Sequence, residues 1–323
     1  MPAPSPAAIQ AIDRLDAACR ALVSFRRRAV LVMYYPENAN VTELDIKDAY
    51  RELRSGGAKK EKPLSTLDLL LHTNGGDPVA GYRIAQTIRS LCRTMDVLVP
   101  EYAYSAGTLM SFSGDDIRLG DYAGLSPIDI TISEPGSPKP EGVQLAGVDS
   151  FLEFAQGARK DVEKILKELD RNSACSSVDS DLLVQMVKEV GALTVGKYYR
   201  ERTVTGHYAQ LLLENYMFKR ESDCRSRAGG VIGHFLFGAP SHDFHVDYNL
   251  CKAWHLKITQ MPTSESDLTK DVVEQLRACT RNNVICSRLT ARVRMPFIRF
   301  YSLTQRRRNA RTAQKKSRRT RNP

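Results

Sequence analysis

Two short segments of the chain carry residues suited to nucleophilic chemistry. In the first, LHTNGGDPVAGYRIAQTIR, the adjacent glycines Gly75 and Gly76 follow an apolar run. Adjacent glycines leave backbone N–H groups approachable, and such donors can stabilise an oxyanion or a phosphate. In the second segment, Ser105 is followed by the small residues Ala106 and Gly107. A nucleophilic serine needs a neighbour of this kind, because the neighbour's N–H must be free to face the oxyanion.

Each segment also has a simpler interpretation. A glycine pair is typical of a tight turn, and a serine at the start of a helix is typical of an N-cap. The glycine pair precedes Ser105 by about 30 residues, and the pattern between them predicts one helix and one strand. This combined spacing, rather than either segment alone, favours the chemical interpretation.

The elements that position these segments follow from hydrophobic patterning. Asp77 and Pro78 suit the cap and the first position of a helix after the glycine pair. Runs that are apolar on both faces belong in a sheet covered on both sides, which is usually parallel. Alternating strands and helices therefore predict an α/β fold with parallel strands. The apolar runs predict strands at residues 29–35, 67–73, 97–99 and 117–119, and the amphipathic periodicity predicts helices at 6–25, 149–171, 178–190, 195–218 and 267–279.

The charge of the chain is unevenly distributed. The 323 residues carry a formal net charge of +10, but residues 275–323 hold 15 Lys and Arg and no Asp or Glu. Subtracting them leaves 32 basic against 37 acidic side chains, a net of −5, on residues 1–274. The basic tail could bind nucleic acid or an acidic partner through counterion release. It lacks aromatic residues after Tyr301, so we expect no specific base stacking, and a solvated, disordered extension is the other interpretation.

Several classes of protein are not supported by the composition. The seven cysteines include no C-x-x-C pair, so we expect free thiols and neither a zinc knuckle nor a redox pair. No stretch approaches the ~18 apolar residues that a membrane span needs, and the N-terminus does not resemble a signal peptide. We therefore expect a cytoplasmic protein that uses no metal and no cofactor.

The motifs together resemble a known family, the serine dehydrogenase proteinases, which are relatives of ClpP and of the SppA signal-peptide peptidases in the ClpP/crotonase superfamily. The resemblance covers roughly residues 28–260. The sequence departs from the usual family pattern at Asn74, where proline is usual, and at Ser126, where glycine is usual. The motifs that carry the resemblance are HTNGG at residues 72–76, YSAGTL at 104–109, LSPID at 125–129 and SHDF at 241–244.

The resemblance implies a spiral of ββα units with mostly parallel strands. It also implies that Ser105 is the nucleophile of a peptidase, with Gly75, Gly76 and the N–H of Ala106 shaping the oxyanion hole. The expected substrate is a peptide or protein, and homo-oligomeric assembly is expected because relatives form rings or layers. The implied division is an N-terminal helix at 1–27, a ClpP/crotonase-like domain at 28–262, a C-terminal helix and linker at 263–303, and the basic tail at 304–323.

The general base is open at the level of sequence. A ClpP-like triad would have a histidine about 25 residues after the serine, and the region around Asp129 contains none. The two candidates are Lys139, by analogy with the lysine of SppA-type enzymes, and His242, whose segment corresponds to that of the third triad member. His72 lies at a strand end and is interpreted as structural. Two alternatives therefore stay open, a catalytically impaired scaffold or binding protein and a crotonase-type acyl-thioester enzyme.

Overall fold

The structure is a computed structural model that describes residues 6–128, 192–281 and 297–303. Its strands are β1 (Ala29–Tyr34), β2 (Leu64–His72), β3 (Cys92–Val99), β4 (Tyr102–Ala103), β5 (Asp116–Leu119), β6 (Gly124–Leu125), β7 (Ile258–Gln260) and β8 (Phe297–Tyr301). A six-stranded sheet, in the order β7-β5-β3-β2-β1-β8, forms the centre. Five of these strands run parallel, and β8 pairs antiparallel with β1 at one edge. The predicted α/β fold with a mostly parallel sheet is confirmed.

Helices cover both faces of this sheet. The helices are α1 (Pro6–Arg26), α2 (Leu44–Ser55), α3 (Pro78–Arg89), α4 (Ala106–Ser111), α5 (Ala192–Leu212), α6 (Cys224–Gly233), α7 (Tyr248–Ala253) and α8 (Thr263–Arg281), with π-helical turns at Leu213–Met217 and His234–Gly238. One face of the sheet packs against α2, α3 and α4, and the other packs against α1 and α8. Successive side chains of a strand point to opposite faces, so Leu31 and Met33 enter one core while Val30 and Val32 enter the other.

The four predicted strands are present as β1, β2, β3 and β5, but β2 begins three residues and β3 five residues before the predicted start. The helices predicted at 6–25 and 267–279 are present as α1 and α8, and α8 begins four residues earlier than predicted. The predicted helix at 195–218 is α5 continued by the first π-helical turn. The helices predicted at 149–171 and 178–190 lie outside the described residues. The strands β4, β6, β7 and β8 were not predicted. Three of them are only two or three residues long, and β8 pairs with residues more than 260 positions earlier.

A short second layer lies beyond the carboxyl end of β2. Its strands β4 and β6 pair in parallel, with Ala103 opposite Leu125. Isolated bridges extend this layer on both sides, joining Thr73 to Ala103 and Leu125 to Val246. The layer therefore brings together the segments that follow β2, β3 and β5, as well as the loop before α7.

A network of charged side chains fastens α1 and α8 to the sheet. Arg26, the last residue of α1, contacts Asp68 on β2 at 2.7 Å, Asp96 on β3 at 2.9 Å and Glu265 on α8 at 3.1 Å. The carboxylates of Asp68 and Glu265 are almost fully buried, so their negative charges depend on Arg26 for compensation. Arg118 on β5 also binds Glu265, at 2.6 Å. Within the described residues, no helix combines the length and the apolar composition that crossing a membrane requires.

Candidate active site

The backbone of Ser105 has an unusual conformation. Ser105 lies in the turn between β4 and α4, with φ 51° and ψ −113°. A non-glycine residue with positive φ is strained, at a cost of roughly 1–3 kcal/mol, and such residues cluster at active sites. Its side chain is only partly buried, whereas Ala106 and Gly107 behind it are buried. The turn therefore presents the Ser105 hydroxyl at the surface of a rigid core.

The Ser105 hydroxyl does not cap α4. Ser105 occupies the N-cap position, but its side chain makes no capping hydrogen bond. This hydroxyl also makes no hydrogen bond to any other residue that the structure describes. The N-cap interpretation of this serine is therefore not supported by the structure.

The glycine loop after β2 packs directly against the serine turn. Gly75 and Gly76 have φ values of 112° and 145°, which side-chain-bearing residues rarely adopt. A Cβ added to Gly75 would lie 2.8 Å from the Cβ of Ser105 and 2.9 Å from the carbonyl oxygen of Tyr104. Both distances are shorter than van der Waals contact, so only glycine permits this approach. Gly76 is equally confined, since its added Cβ would lie 2.4 Å from the backbone nitrogen of Val41.

The backbone donors of the two loops are not equivalent. The N–H of Gly75 donates to the Thr73 hydroxyl at 3.0 Å, and the N–H of Ser105 donates to the Ser126 hydroxyl at 2.7 Å. The N–H groups of Gly76 and Ala106 have no acceptor among the residues that the structure describes. These two N–H groups are therefore open donors of the glycine loop and the serine turn, and they could donate hydrogen bonds to an oxyanion.

A partly buried cluster of polar and charged side chains links the end of β2 to the loop before β4. His72 ends β2, and its Nε2 lies 3.2 Å from the Oε2 of Glu101, in the loop that leads to β4. Arg277 of α8 holds the same carboxylate with two hydrogen bonds, one of 2.7 Å. Burial alone raises the pKa of Glu101, but the hydrogen bonds from His72 and Arg277 and the charge of Arg277 outweigh it and lower the pKa to about 2. His72 is buried among the rings of Tyr34 and Tyr102, as a structural residue would be.

The two predicted bases differ in where they lie. His242 lies in the partly exposed loop between the second π-helical turn and α7. Lys139 falls outside the described residues. Neither role is tested by the structure, and both stay predictions.

His245 contacts the residue before Ser105, and the sequence pattern did not single it out. Its Nδ1 lies 3.0 Å from the hydroxyl of Tyr104, the residue before Ser105, and its ring rests on Gly124 of β6. Only the bridge between Leu125 and Val246 brings this histidine here, so no local signal could have revealed it. Among the described residues, no group of three or more His, Cys, Asp or Glu side chains is arranged to hold a metal ion.

The described residues thus define an α/β fold in which a strained serine turn meets a glycine loop at the carboxyl end of parallel strands. Residues 21–144 match the model of a family described as ClpP-like SDH-type serine proteinase. The matched segment contains both loops, and the family resemblance predicted from the motifs is confirmed by this match.

Two curated proteins are similar in sequence, both from Methanocaldococcus jannaschii and both uncharacterized. The first is 30% identical over 145 residues, which are 43% of this chain and 49% of the relative. The second is 28% identical over 109 residues, which are 34% of this chain and 36% of that relative. The chain therefore matches half or less of the length of these relatives.

Two solved structures resemble the chain at low sequence identity. One is a serine-to-alanine mutant of a membrane-bound stomatin-specific protease, with a TM-score of 0.41 and 11% identity, covering 72% of this chain and 79% of that one. The other is a mutant of ClpP1 from Listeria monocytogenes, with a TM-score of 0.35 and 10% identity, covering 76% of this chain and 98% of that one.

Proposed function

We propose that the protein is a serine-type peptidase of the SDH family that hydrolyses peptide bonds through an acyl-enzyme on Ser105. The observation that carries the proposal is the strained Ser105 turn, with φ 51°, facing Gly75. A structural serine would gain nothing from such a conformation, whereas a nucleophile needs its hydroxyl exposed above a fixed backbone. The family match over residues 21–144 supports the same chemistry.

The proposed reaction begins with attack of the Ser105 Oγ on the carbonyl carbon of the scissile peptide. The carbonyl oxygen becomes an oxyanion, and we assign the N–H groups of Gly76 and Ala106 as its donors. Gly75 contributes space rather than a donor, because its own N–H is bound to Thr73. The amine then leaves with a proton, and water hydrolyses the acyl-enzyme to regenerate the Ser105 hydroxyl.

The proton of the Ser105 hydroxyl needs an acceptor, and we keep Lys139 and His242 as the two candidates. A lysine would need to be deprotonated at the working pH, and a histidine would need to be neutral. The variants Lys139→Ala and His242→Ala separate the two. The variant of the true base is expected to lose reactivity at Ser105, while the other retains it.

The test of the proposal is covalent labelling. Purified full chain is treated with a fluorophosphonate probe, and the modified residue is located by mass spectrometry. We expect a single label on Ser105 that is absent from Ser105→Ala. A wild-type chain that is folded and remains unlabelled, under conditions where a known serine peptidase reacts, would exclude the proposal.

A second candidate is a catalytically impaired scaffold that keeps this fold. One observation favours it: the region around Asp129, where a ClpP-like triad would have its histidine, contains none. A scaffold would bind peptides without cleaving them and would not react with the probe. Labelling combined with a peptide-cleavage assay therefore separates the two candidates.

The remaining sequence predictions concern the whole protein. We propose that it assembles into homo-oligomers and acts in the cytoplasm on peptides or proteins, by analogy with its family. Light scattering after size-exclusion chromatography tests the assembly. The basic tail lies outside the described residues, and its binding to nucleic acid or to an acidic partner stays a prediction.

A further inference from the structure

We infer that Ser126 is a positioning residue for the nucleophile, whose hydroxyl holds the Ser105 turn in its strained conformation by accepting the Ser105 N–H. The inference rests on the proposed function and deepens it, because it names the residue that determines where the Ser105 hydroxyl points. Ser126 directly follows β6 and lies 21 positions after Ser105.

The hydroxyl of Ser126 is oriented for this contact. Its Oγ lies 2.7 Å from the nitrogen of Ser105 and 3.1 Å from the carbonyl oxygen of Pro127. A hydroxyl has one hydrogen to donate and two lone pairs to accept with. When the hydrogen points to Pro127, a lone pair remains for the N–H of Ser105. Ser126 is only 1% exposed, so water does not compete for either bond.

Ser126 is itself held in place by Thr108, a buried residue of α4. The N–H of Ser126 donates to the Thr108 hydroxyl at 3.0 Å. The same hydroxyl lies 2.8 Å from the carbonyl oxygen of Ala103 on β4 and 2.9 Å from that of Ser126, so its hydrogen can be donated to either carbonyl. Ala103 precedes Ser105 by two residues, and Thr108 follows it by three. The network therefore encloses the turn from both sides.

The contact matters because the conformation of Ser105 is unfavourable by itself. A serine released from this contact would relax towards negative φ, and the rotation would carry its Oγ away from the Gly75 loop. The contact also assigns the donors of the site. Because the Ser105 N–H is bound to Ser126, it cannot serve an oxyanion, which leaves that role to Ala106 and Gly76.

The test compares inactivation kinetics of variants with the fluorophosphonate probe. Ser126→Ala removes the acceptor and is expected to lower the maximal inactivation rate by about tenfold or more, equivalent to about 1.4 kcal/mol, with unchanged probe affinity. Ser113→Ala is the matched control, since Ser113 is fully buried and its hydroxyl donates to Met110 in the same region without touching Ser105. It is expected to react like wild type. Ser126→Thr keeps the hydroxyl and is expected to restore most of the rate.

The outcomes separate this inference from the proposed function. A wild type that reacts at Ser105, together with a folded Ser126→Ala that reacts as fast as Ser113→Ala, overturns the role of Ser126 and leaves the peptidase intact. A wild type that does not react overturns the proposed function. If Ser126→Ala does not fold, Ser126→Cys replaces it, because a thiol is a weak acceptor in a similar volume, and an undiminished rate there also overturns the inference.

Discussion

The close approach of Gly75 to Ser105 leads to a prediction about a single methyl group. In Gly75→Ala the new Cβ would lie 2.8 Å from the Cβ of Ser105 and 2.9 Å from the carbonyl oxygen of Tyr104. The backbone adds a separate cost, because φ at this position is 112°. The variant therefore combines a steric clash at the serine turn with a strained backbone.

The two costs can be separated with a control from the same chain. Gly57 follows α2 with φ 100°, and an added Cβ there meets no atom within 4 Å. Gly57→Ala should therefore be destabilised only by the strain of an alanine at positive φ, which lowers the free energy of unfolding by about 1–2 kcal/mol. Gly75→Ala should lose this amount and about 1–3 kcal/mol more for the overlap.

Gly75→Ala and Gly57→Ala should differ even more in their reactivity with the probe than in their stability. Relief of the overlap in Gly75→Ala requires the Ser105 turn to move, and a displacement of about 1 Å can cost ~100-fold in rate. We expect Gly57→Ala to react with the fluorophosphonate probe at the wild-type rate and Gly75→Ala to react at least tenfold more slowly.

Two measurements test this prediction. Urea unfolding, followed by the fluorescence of Trp254, the only tryptophan of the chain, gives the free energies. Probe labelling without denaturant, at a temperature where both variants are folded, gives the rates. If Gly75→Ala matches Gly57→Ala in both stability and labelling rate, the packing of the glycine loop against Ser105 is not as described and the reasoning fails.

Two further predictions concern charged residues. Asp68→Asn removes a fully buried carboxylate that compensates the charge of Arg26, and it should lower the free energy of unfolding in urea by about 3 kcal/mol. The control Asp48→Asn loses only an exposed ion pair and should lower it by less than about 1 kcal/mol. Equal losses in the two variants would contradict the role of the network. Because the folded pKa of Glu101, about 2, lies below its ordinary value of 4.5, its contribution to stability is present above pH 4.5 and is lost as the pH falls from there towards 2. Glu101→Gln should therefore flatten the stability profile over this window, and an unchanged acid slope would refute the assignment.

The parts of the site that the sequence predicts are local in the chain. The glycine pair and the serine turn each occupy a few consecutive residues, so their composition reveals the conformations they can adopt. The contacts of Ser126 and His245 with the serine turn depend on pairings across 21 and 141 positions. Neither contact can be derived from the residue types of one segment, because each depends on how separate segments pair in the fold.

The fold, like the site, has parts that local patterns predict and parts that depend on pairings between distant segments. The apolar runs and amphipathic periodicities of this chain determine its strands and helices, because burial on one or two faces leaves a regular pattern of residue types. The order of the strands, the antiparallel β8 at the edge and the ionic network around Arg26 follow from pairings between distant segments. The sequence by itself therefore determined an α/β chain with a serine turn and a glycine loop. Only the tertiary structure decided that Gly75 touches Ser105, that Ser126 holds its N–H, and that Gly76 and Ala106 keep their donors open, because these are packing relations between elements that are separate in the chain.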